Sequence, residues 1–409
     1  MDFKKLGEIA DILISNVDKK TKENEYPVKL CNFVDVYYNW AISSYHYQNL
    51  MNATATKQEI DKFSIREGDV AITKDSETRD DIGVSTYISE SLENTLLGYH
   101  CVLIRPNKNV ILGKYLNIVL HSSYAQKYFE ANAGGSGQRY TLKDTIIKDM
   151  LIPIPSIEEQ EQLGNLANSI DKKIENNNKI NAELESLAKT IYDYWFLQFE
   201  FPNEEGKPYK SSGGKMVWNE ELKREIPEGW KAVTLGSITN CLDSQRVPLS
   251  SSQREKIKGS IPYYGATCVM GYVNQEIFNG DYVLVAEDGS VMDQYGHPII
   301  QRITGKSWVN NHAHVLEPLE NISCKLLMMM LKDIWVVKIK TGSIQMKITQ
   351  ENLNNVKLLE VPEYLKETIN KKLEYIDSLQ LKIQKENSEL SSLRDFLLPM
   401  LMNGQITFG

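Results

Sequence analysis

The chain contains an internal repeat, which restricts its possible folds more than any other feature of the sequence. Residues 5–13 (KLGEIADIL) resemble residues 234–242 (TLGSITNCL), and residues 98–106 match the frame of residues 310–318. The second match pairs His100 with His312. Order is kept while the separation between the copies shrinks along the chain, as expected for a duplication followed by small deletions. With 409 residues, each copy is long enough to bury a core of its own.

Each copy ends in a segment with the pattern of a long helix. Ser156 and Glu159 form the S-x-x-E pattern of a capping box, which predicts a helix start. Heptads counted from Leu163, and in the second copy from Ile369, predict a buried seam made of Leu163, Leu166, Ile170, Asn177, Ile180, Leu184, Leu187, Ile191, Ile369, Ile376, Leu379, Ile383, Leu390, Leu393 and Leu397. Matched registers favour pairing of the two helices in an antiparallel coiled coil over packing of each helix on its own core. Asn177 either fixes the register of this pair or is solvated.

The remaining sequence predicts an α+β fold with two tandem, pseudo-symmetric globular parts. Short strand-like runs at 28–35, 69–73, 101–105 and 282–286 alternate with helical stretches at 114–131 and 325–339. The predicted divisions are a first globular part (1–155), a first helix (156–200), a linker (201–229), a second globular part (230–362), a second helix (363–402) and a tail (403–409).

The net charge of −8 is distributed unevenly. The first and second globular parts are nearly neutral, at −2 and +1, whereas residues 156–200 carry −5. Acidity therefore does not exclude nucleic-acid binding by the globular parts, although it disfavours tight, sequence-blind binding by this chain alone. The longest apolar runs, such as 326–331, are too short to cross a membrane, and residues 1–9 lack a signal-peptide core. We expect a cytoplasmic protein.

The sequence offers no recognisable catalytic constellation. Residues 305–307 (GKS) lack the first glycine of a P-loop, because Ile300 occupies that position. His312 and His314 have no third ligand at metal-site spacing, and the five cysteines form no CxxC pair. We therefore predict no catalytic residues, no bound metal and no cofactor of the chain's own.

Several strings of the sequence resemble the specificity subunit of type I restriction-modification systems, the HsdS family. They occur in the family's order at 152–163 (IPIPSIEEQEQL), 226–236 (IPEGWKAVTLG), 261–267 (IPYYGAT), 280–290 (GDYVLVAEDGS), 308–316 (WVNNHAHVL) and 396–406 (FLLPMLMNGQI). The resemblance implies two target-recognition domains that each read one half of a bipartite DNA sequence, and a coiled coil that sets the spacer. It also implies partners: double-stranded DNA, two methyltransferase (M) subunits, and restriction (R) subunits in the full complex. S-adenosylmethionine, ATP and Mg would belong to those partners.

Polar loops are the candidate DNA contacts, because base edges are read by hydrogen-bonding side chains. The candidates are Lys74, Ser76, Arg79, Ser136, Gln138, Arg139, Tyr140, Tyr263, Tyr264, Asn310, Asn311, His312, Ser343, Gln345 and Lys347. Two alternatives remain: a coiled-coil scaffold that binds no DNA, and a single-chain DNA methyltransferase or nuclease. Methyl transfer by the purified chain would favour the enzyme, and the absence of DNA protection with partners present would favour the scaffold.

Overall fold

The computed structural model describes residues 2–136, 139–319, 321–342 and 346–402. The chain forms two compact units, one made of residues 1–179 with 384–409 and the other of residues 180–383. Helices within the described ranges are nowhere both long and apolar enough to cross a membrane.

The first unit is built around a five-stranded sheet. One of its interior strands, Cys101–Pro106, begins with an apolar run and pairs on both sides, so Val102, Leu103 and Ile104 are fully buried. In sheet order the strands are Ala10–Ile14, Cys101–Pro106, Val70–Thr73, Ser85–Ile88 and Ala41–Ile42. Smaller sheets are Met51–Ala55 with Tyr26–Cys31 and Thr95–Leu97; Gly134–Ser136 with Arg139–Thr141 and Asp75–Ser76; and Asp2–Lys5 with Leu151–Ile154. The shorter helices are Leu6–Ile9, Phe33–Tyr38, Ser44–Asn49, Lys57–Phe63, Gly113–His121, Ser123–Asn132 and Asp144–Asp149.

The second unit contains a six-stranded sheet. In sheet order its strands are Thr239–Cys241, Ala313–Pro318, Phe278–Ala286, Ile300–Val309, Lys258–Tyr264 and Val269–Val273. Two-stranded pairs are Met216–Asn219 with Arg224–Pro227, Ala232–Thr234 with Lys357–Leu359, and Lys340–Thr341 with Lys347–Ile348. The shorter helices are Leu235–Ile238, Asp243–Gln245, Ser251–Lys256, Cys324–Lys332, Val336–Lys338 and Gln350–Asn354.

The two globular parts open and close in the same way. In the first, the opening strand Asp2–Lys5 pairs with the last strand before the long helix, and the amide of Leu6 bonds to the carbonyl of Met150. In the second, Ala232–Thr234 pairs with Lys357–Leu359, which is also the last strand before a long helix, and the amide of Leu235 bonds to the carbonyl of Val356. These matching closures agree with the duplication seen in the sequence.

Three local expectations were wrong. Residues 33–35 belong to the helix Phe33–Tyr38 rather than to a strand, because Asn32 and Asp35 form a capping box. The predicted linker is partly structured: it contains the hairpin Met216–Asn219 with Arg224–Pro227, and Phe201 and Ile226 are buried in the second unit's core. The stretch 325–339 breaks after Lys332.

Two long helices, Ile157–Tyr192 and Glu363–Met402, follow the globular parts. The predicted capping box is present, since Ser156 Oγ accepts from the Glu159 amide while Glu159 Oε2 accepts from the Ser156 amide. The first helix ends earlier than predicted, in a π-helical turn at Asp193–Leu197.

Three of the fifteen predicted seam residues are not buried. Leu163, Ile170, Asn177, Ile369 and Ile376 are buried. Ile180, Leu187 and Leu393, however, are nearly half exposed. The other predicted positions are partly buried: Leu166, Leu184, Ile191, Leu379, Ile383, Leu390 and Leu397.

The predicted seam consists of two rows of residues, each with a spacing of seven. In one of these rows, the inward-facing residues lie one position later in the sequence than predicted. The row that faces inward in the first long helix contains Ala167, Ile174, Asn181 and Ala188 instead of Leu166, Lys173, Ile180 and Leu187. Small and polar side chains give a weak hydrophobic signal, so the sequence pattern favoured the neighbouring leucines and isoleucine.

Polar side chains join the two long helices inside each unit. In the first unit, Asn177 Nδ2 donates to Glu386 Oε2 and to Asn387 Oδ1, both at 2.8 Å. In the second unit, Gln380 Nε2 donates to the carbonyl of Asn181 at 3.2 Å. Glu185 also accepts hydrogen bonds from Lys325 and Lys332, which lie on or at the end of the helix Cys324–Lys332.

Candidate nucleic-acid interface

A charged cluster forms on the first globular part where three loops and strand ends meet. Asp75 lies two residues after the strand Val70–Thr73, and its neighbour Thr141 belongs to the facing hairpin. His100 Nδ1 lies 2.5 Å from Asp75 Oδ2, and Arg139 Nη2 lies 3.4 Å from the same oxygen. Lys74 Nζ is 3.7 Å away. One carboxylate therefore holds two permanent cations and an imidazole.

The charge balance of this cluster favours an anionic or hydrogen-bonding ligand. Burial would raise the pKa of Asp75, but hydrogen bonds from Thr141 and His100 outweigh burial and lower that pKa, so the group is a carboxylate at neutral pH. Lys74 and Arg139 together exceed the single negative charge of Asp75, and the carboxylates of Glu77 and Asp81 line the adjoining groove. Because the Arg139 side chain is mostly exposed, its remaining donors can reach a phosphate or a base edge.

The conformation of His100 is also unusual. Its φ of 72° is uncommon for a residue with a side chain and carries an energetic cost. The Asp75 contact holds the imidazole in this position, directly before the interior strand Cys101–Pro106. Strain of this kind often occurs at binding sites, which supports a functional role for the cluster.

The neighbouring candidate residues extend the same surface. The Arg79 guanidinium lies over the Tyr140 ring, 5.2 Å from its centroid, and Ser76 pairs with Tyr140 across two strands. Ser136 lies on the strand that pairs with Arg139. The structure thus brings together the predicted residues of two separate loops, whereas Gln138 lies outside the described residues.

The second globular part repeats this arrangement. Asp288 lies two residues after the strand Phe278–Ala286, and His312 Nδ1 lies 2.7 Å from its Oδ1. Lys347, on the facing hairpin, forms a β-bridge with Asp288 and places its Nζ 2.9 Å from Glu287 Oε1. Asn311 is exposed beside His312. An aspartate after a strand and a histidine therefore recur at equivalent places, each with a cation on the facing hairpin, while Ser343 and Gln345 lie outside the described part of the chain.

Two predicted contact residues of the second part are structural instead. Tyr263 is fully buried, and its hydroxyl accepts a hydrogen bond from the amide of Leu249 at 3.0 Å. Asn310 is buried too, and its Oδ1 accepts from the amide of His312. Alternation along the strand Lys258–Tyr264 turns Tyr263 inward, and Tyr264 is partly buried.

Sequence reasoning missed the acidic members and the first histidine. Asp75, His100, Asp288 and Glu287 were not among the candidates, because acidic side chains are not expected to face DNA. A signal was nevertheless present, since the repeat alignment pairs His100 with His312. The aspartates were not recoverable from sequence alone, because only the tertiary fold brings each one to its histidine.

A separate group of Cys241, Asp243 and His314 has the donor atoms of a metal site within the part of the chain that is described. Its chemistry does not fit a divalent cation. Burial, reinforced by Asp243, raises the pKa of the Cys241 thiol to about 12, so the thiol stays protonated. Arg246 Nη2 lies 3.3 Å from Asp243 Oδ2, and both ring nitrogens of His314 are already engaged.

A duplicated α/β chain that presents one charged cluster on each copy has the organisation of a two-site binding protein. The family model for the type I restriction modification DNA specificity domain matches residues 1–186 and 227–391. This chain therefore belongs to the family of type I restriction-modification DNA specificity proteins.

Individual relatives agree with this assignment. The chain is 26% identical over 322 residues to the type I restriction enzyme MjaIX specificity subunit of Methanocaldococcus jannaschii, covering 73% of this chain and 70% of that protein. It is 21% identical to the type I restriction enzyme HindI specificity subunit of Haemophilus influenzae, covering 98% of both. A crystal structure of a type I restriction-modification S subunit from M. genitalium is similar in fold, with a TM-score of 0.51 and 18% identity over 97% of this chain and 94% of that one.

Proposed function

We propose that this specificity protein reads a bipartite DNA target, with each globular part (1–155 and 230–362) recognising one half. The observation that carries this proposal is the recurrence of the aspartate, histidine and hairpin cation on both parts. A repeated surface with unlike flanking loops is suited to two half-sites of different sequence. Arg139 and Lys347 are the cations we assign to DNA contact, together with Lys74, Ser76, Arg79, Tyr140, Asn311 and His312.

The two long helices form an antiparallel coiled coil in this proposal, and the coil sets the spacer between the half-sites. The hydrogen bonds of Asn177 to Glu386 and Asn387 support pairing of the two helices in the first unit, and that of Gln380 to Asn181 supports it in the second. The first long helix has 36 residues and is about 54 Å long. A helix pair of this length is stiff enough to define a distance along DNA.

Methyltransferase subunits dock on the coil through the apolar side chains that the chain leaves uncovered. Ile180, Leu187 and Tyr194 follow each other at intervals of seven residues on the first long helix and the turn that follows it, and each is substantially exposed. Apolar side chains at heptad spacing are suited to a partner helix. We propose two M subunits per chain, matching the duplication, and R subunits in the complete complex.

The chain itself performs no catalysis in this proposal. Its contribution is to position partner enzymes on DNA, and S-adenosylmethionine, ATP and Mg belong to those partners. The charged clusters fit this role, because the carboxylates of Asp75 and Glu287 are paired with neighbouring cations rather than left free to act as general bases.

Exchange of one globular part tests the proposal. Residues 1–155 are replaced by the equivalent residues of a family member with a known target, and the chimera is expressed with its M subunits. Methylome sequencing should show one half of the motif changed and the other half and the spacer retained. A motif that is unchanged, or changed in both halves, contradicts modular recognition.

A further inference from the structure

A buried chain of polar side chains lies beneath the charged cluster of the second globular part. His314, on the strand Ala313–Pro318, is only 1% exposed. Its Nδ1 lies 2.5 Å from Asp243 Oδ2, and its Nε2 lies 2.9 Å from the carbonyl oxygen of Ile348. Because a carbonyl oxygen only accepts hydrogen bonds, His314 Nε2 is the donor in the second contact. His314 thereby ties the strand Lys347–Ile348 of the hairpin to the sheet.

Arg246 extends this chain of contacts to Lys347. Its side chain is 11% exposed, and its Nη2 lies 3.3 Å from Asp243 Oδ2. On the other side, its Nη1 donates to Glu287 Oε2 at 2.6 Å. Glu287 Oε1 lies 2.9 Å from Lys347 Nζ, and the Glu287 carbonyl accepts from the amide of Ile348 at 2.8 Å. Two successive residues of the hairpin are therefore held by buried partners.

Lys347 can still bind a ligand while it is held in this way. An ammonium group has three donors, and the contact with Glu287 needs one of them. Because 48% of the Lys347 side chain is exposed, the other donors can face solvent. The neighbouring Asp288 carboxylate is engaged by His312 Nδ1 at 2.7 Å. The ammonium group is thus anchored in one place and remains within reach of a phosphate.

The first globular part has different residues at the equivalent positions. The repeat places Val102 where the second part has His314. Val102 pairs with Ile14 across the sheet, and Ile14 occupies the place of Asp243. Because the same kind of sheet forms around an apolar pair, the fold does not require the polar one. A role in binding explains why the second part carries it.

We propose that His314, held by Asp243, positions Lys347 for contact with a DNA phosphate in the second half-site. His314 is a positioning residue, because it acts through the carbonyl of Ile348 and does not touch DNA itself. This inference rests on the proposed DNA-reading function and on the assignment of Lys347 to DNA contact. A lysine that is held in place before binding loses less conformational entropy when it meets its ligand.

The test separates the two hydrogen bonds of His314. In His314→Gln, the side-chain amide lies at the place of Nε2 and can still donate to the Ile348 carbonyl. In His314→Asn, the shorter side chain places the amide at Nδ1, so it keeps the Asp243 contact and loses the Ile348 contact. The full chain is assembled with its M subunits. The dissociation constant for a duplex that carries both half-sites is then measured at several salt concentrations.

The expected effect follows from the salt dependence of phosphate contacts. Loss of one contact in Lys347→Met should make the fall in affinity between about 50 mM and about 200 mM salt roughly fourfold smaller. His314→Asn should reproduce most of this change although Lys347 is present, whereas His314→Gln should retain the wild-type salt dependence. Adding Lys347→Met to His314→Asn should change it little further.

A general loss of stability does not produce this pattern, because it lowers the active fraction at every salt concentration. The paired variant Asp243→Ile with His314→Val copies the first globular part and replaces both polar partners at once. It should also show the smaller salt dependence, and it takes the place of the single variants if they do not fold.

A wild-type salt dependence in His314→Asn or in the paired variant, an equal reduction in His314→Gln, or an unchanged salt dependence in Lys347→Met overturns the inference. These outcomes leave the proposed function intact as long as the exchange of residues 1–155 changes one half of the motif. Failure of that exchange contradicts the proposed function itself.

Discussion

Glu185 connects the first long helix to the second globular part through buried charge. Its carboxylate accepts hydrogen bonds from Lys325, Lys332 and Gln380. Lys325 is only 3% exposed, so its ammonium group depends on this carboxylate. We expect Glu185→Gln to destabilise the second unit strongly, because it leaves a buried cation without a counter-charge.

The size of the effect follows from the electrostatics. Burial would raise the pKa of Glu185, but the hydrogen bonds from Lys325 and Lys332 outweigh burial and lower it from 4.5 to about 2. A shift of this size corresponds to roughly 3 kcal/mol, which matches the cost of about 3–5 kcal/mol for breaking a buried pair. Partial exposure of the Glu185 side chain, 32%, reduces the expected loss to about 2–3 kcal/mol.

Urea unfolding followed by tryptophan fluorescence measures this loss, since five of the six tryptophans lie in the second unit. Glu183→Gln, at an exposed position two residues away, is the matched control and should change the free energy of unfolding by less than about 0.5 kcal/mol. The double variant Glu185→Leu with Lys325→Met should be more stable than Glu185→Gln, because it removes both charges.

The same group predicts a pH dependence. The folded-state pKa lies below the unfolded value, so the stabilisation is complete above about pH 4.5 and is lost as the pH falls towards 2. The difference between wild type and Glu185→Gln should therefore shrink across this range. Equal stability of Glu185→Gln and Glu183→Gln at pH 7 would refute the reasoning.

Three further outcomes are expected. Inserting one heptad in each long helix, near Asn177 and Ile383, should lengthen the spacer of the methylated motif by about 3 base pairs, because seven residues add roughly 10 Å. Reduced activity is expected from the added rotation of the DNA. An unchanged spacer would contradict the proposal that the coiled coil sets the spacer. Tyr263→Phe should cost about 1 kcal/mol of unfolding free energy because the Leu249 amide loses its acceptor. Arg139→Ala should instead weaken DNA binding about tenfold or more with little change in stability. Weaker DNA binding by Tyr263→Phe, together with lower stability of Arg139→Ala, would contradict the structural role of Tyr263 and the DNA-contacting role of Arg139. The purified chain, free of partners, should neither methylate nor cleave DNA in assays with S-adenosylmethionine, ATP and Mg, and methyl transfer by such a preparation would contradict the proposal.

The duplication, the start of the first long helix and the bounds of the second were accessible from sequence because they depend on local signals. The capping box at Ser156 and Glu159 marks the start of the first long helix, and the second helix spans the predicted 363–402. The inward row of the first helix was not accessible in the same way. Ala188 is buried and Asn181 is partly buried, although neither side chain gives a strong hydrophobic signal, while Leu187 remains exposed.

The candidate interface, too, could be predicted from the sequence only in part. Exposed loop residues such as Arg139 and Lys347 were found because their side chains have the chemistry of DNA contacts. Tyr263 was misassigned, since a tyrosine in a strand is equally suited to a core with one satisfied hydroxyl. The partnership of Asp75 with His100 joins residues 25 positions apart and could be recognised only after folding.

The central claim is that one chain carries two independent readers at a fixed separation. It is tested most directly by sequencing the methylome of a host that expresses this chain together with its M subunits. The account predicts a single bipartite motif with two unlike specific halves and an unspecified spacer of constant length. A continuous motif, a spacer of variable length, or no methylation dependent on this chain would contradict it.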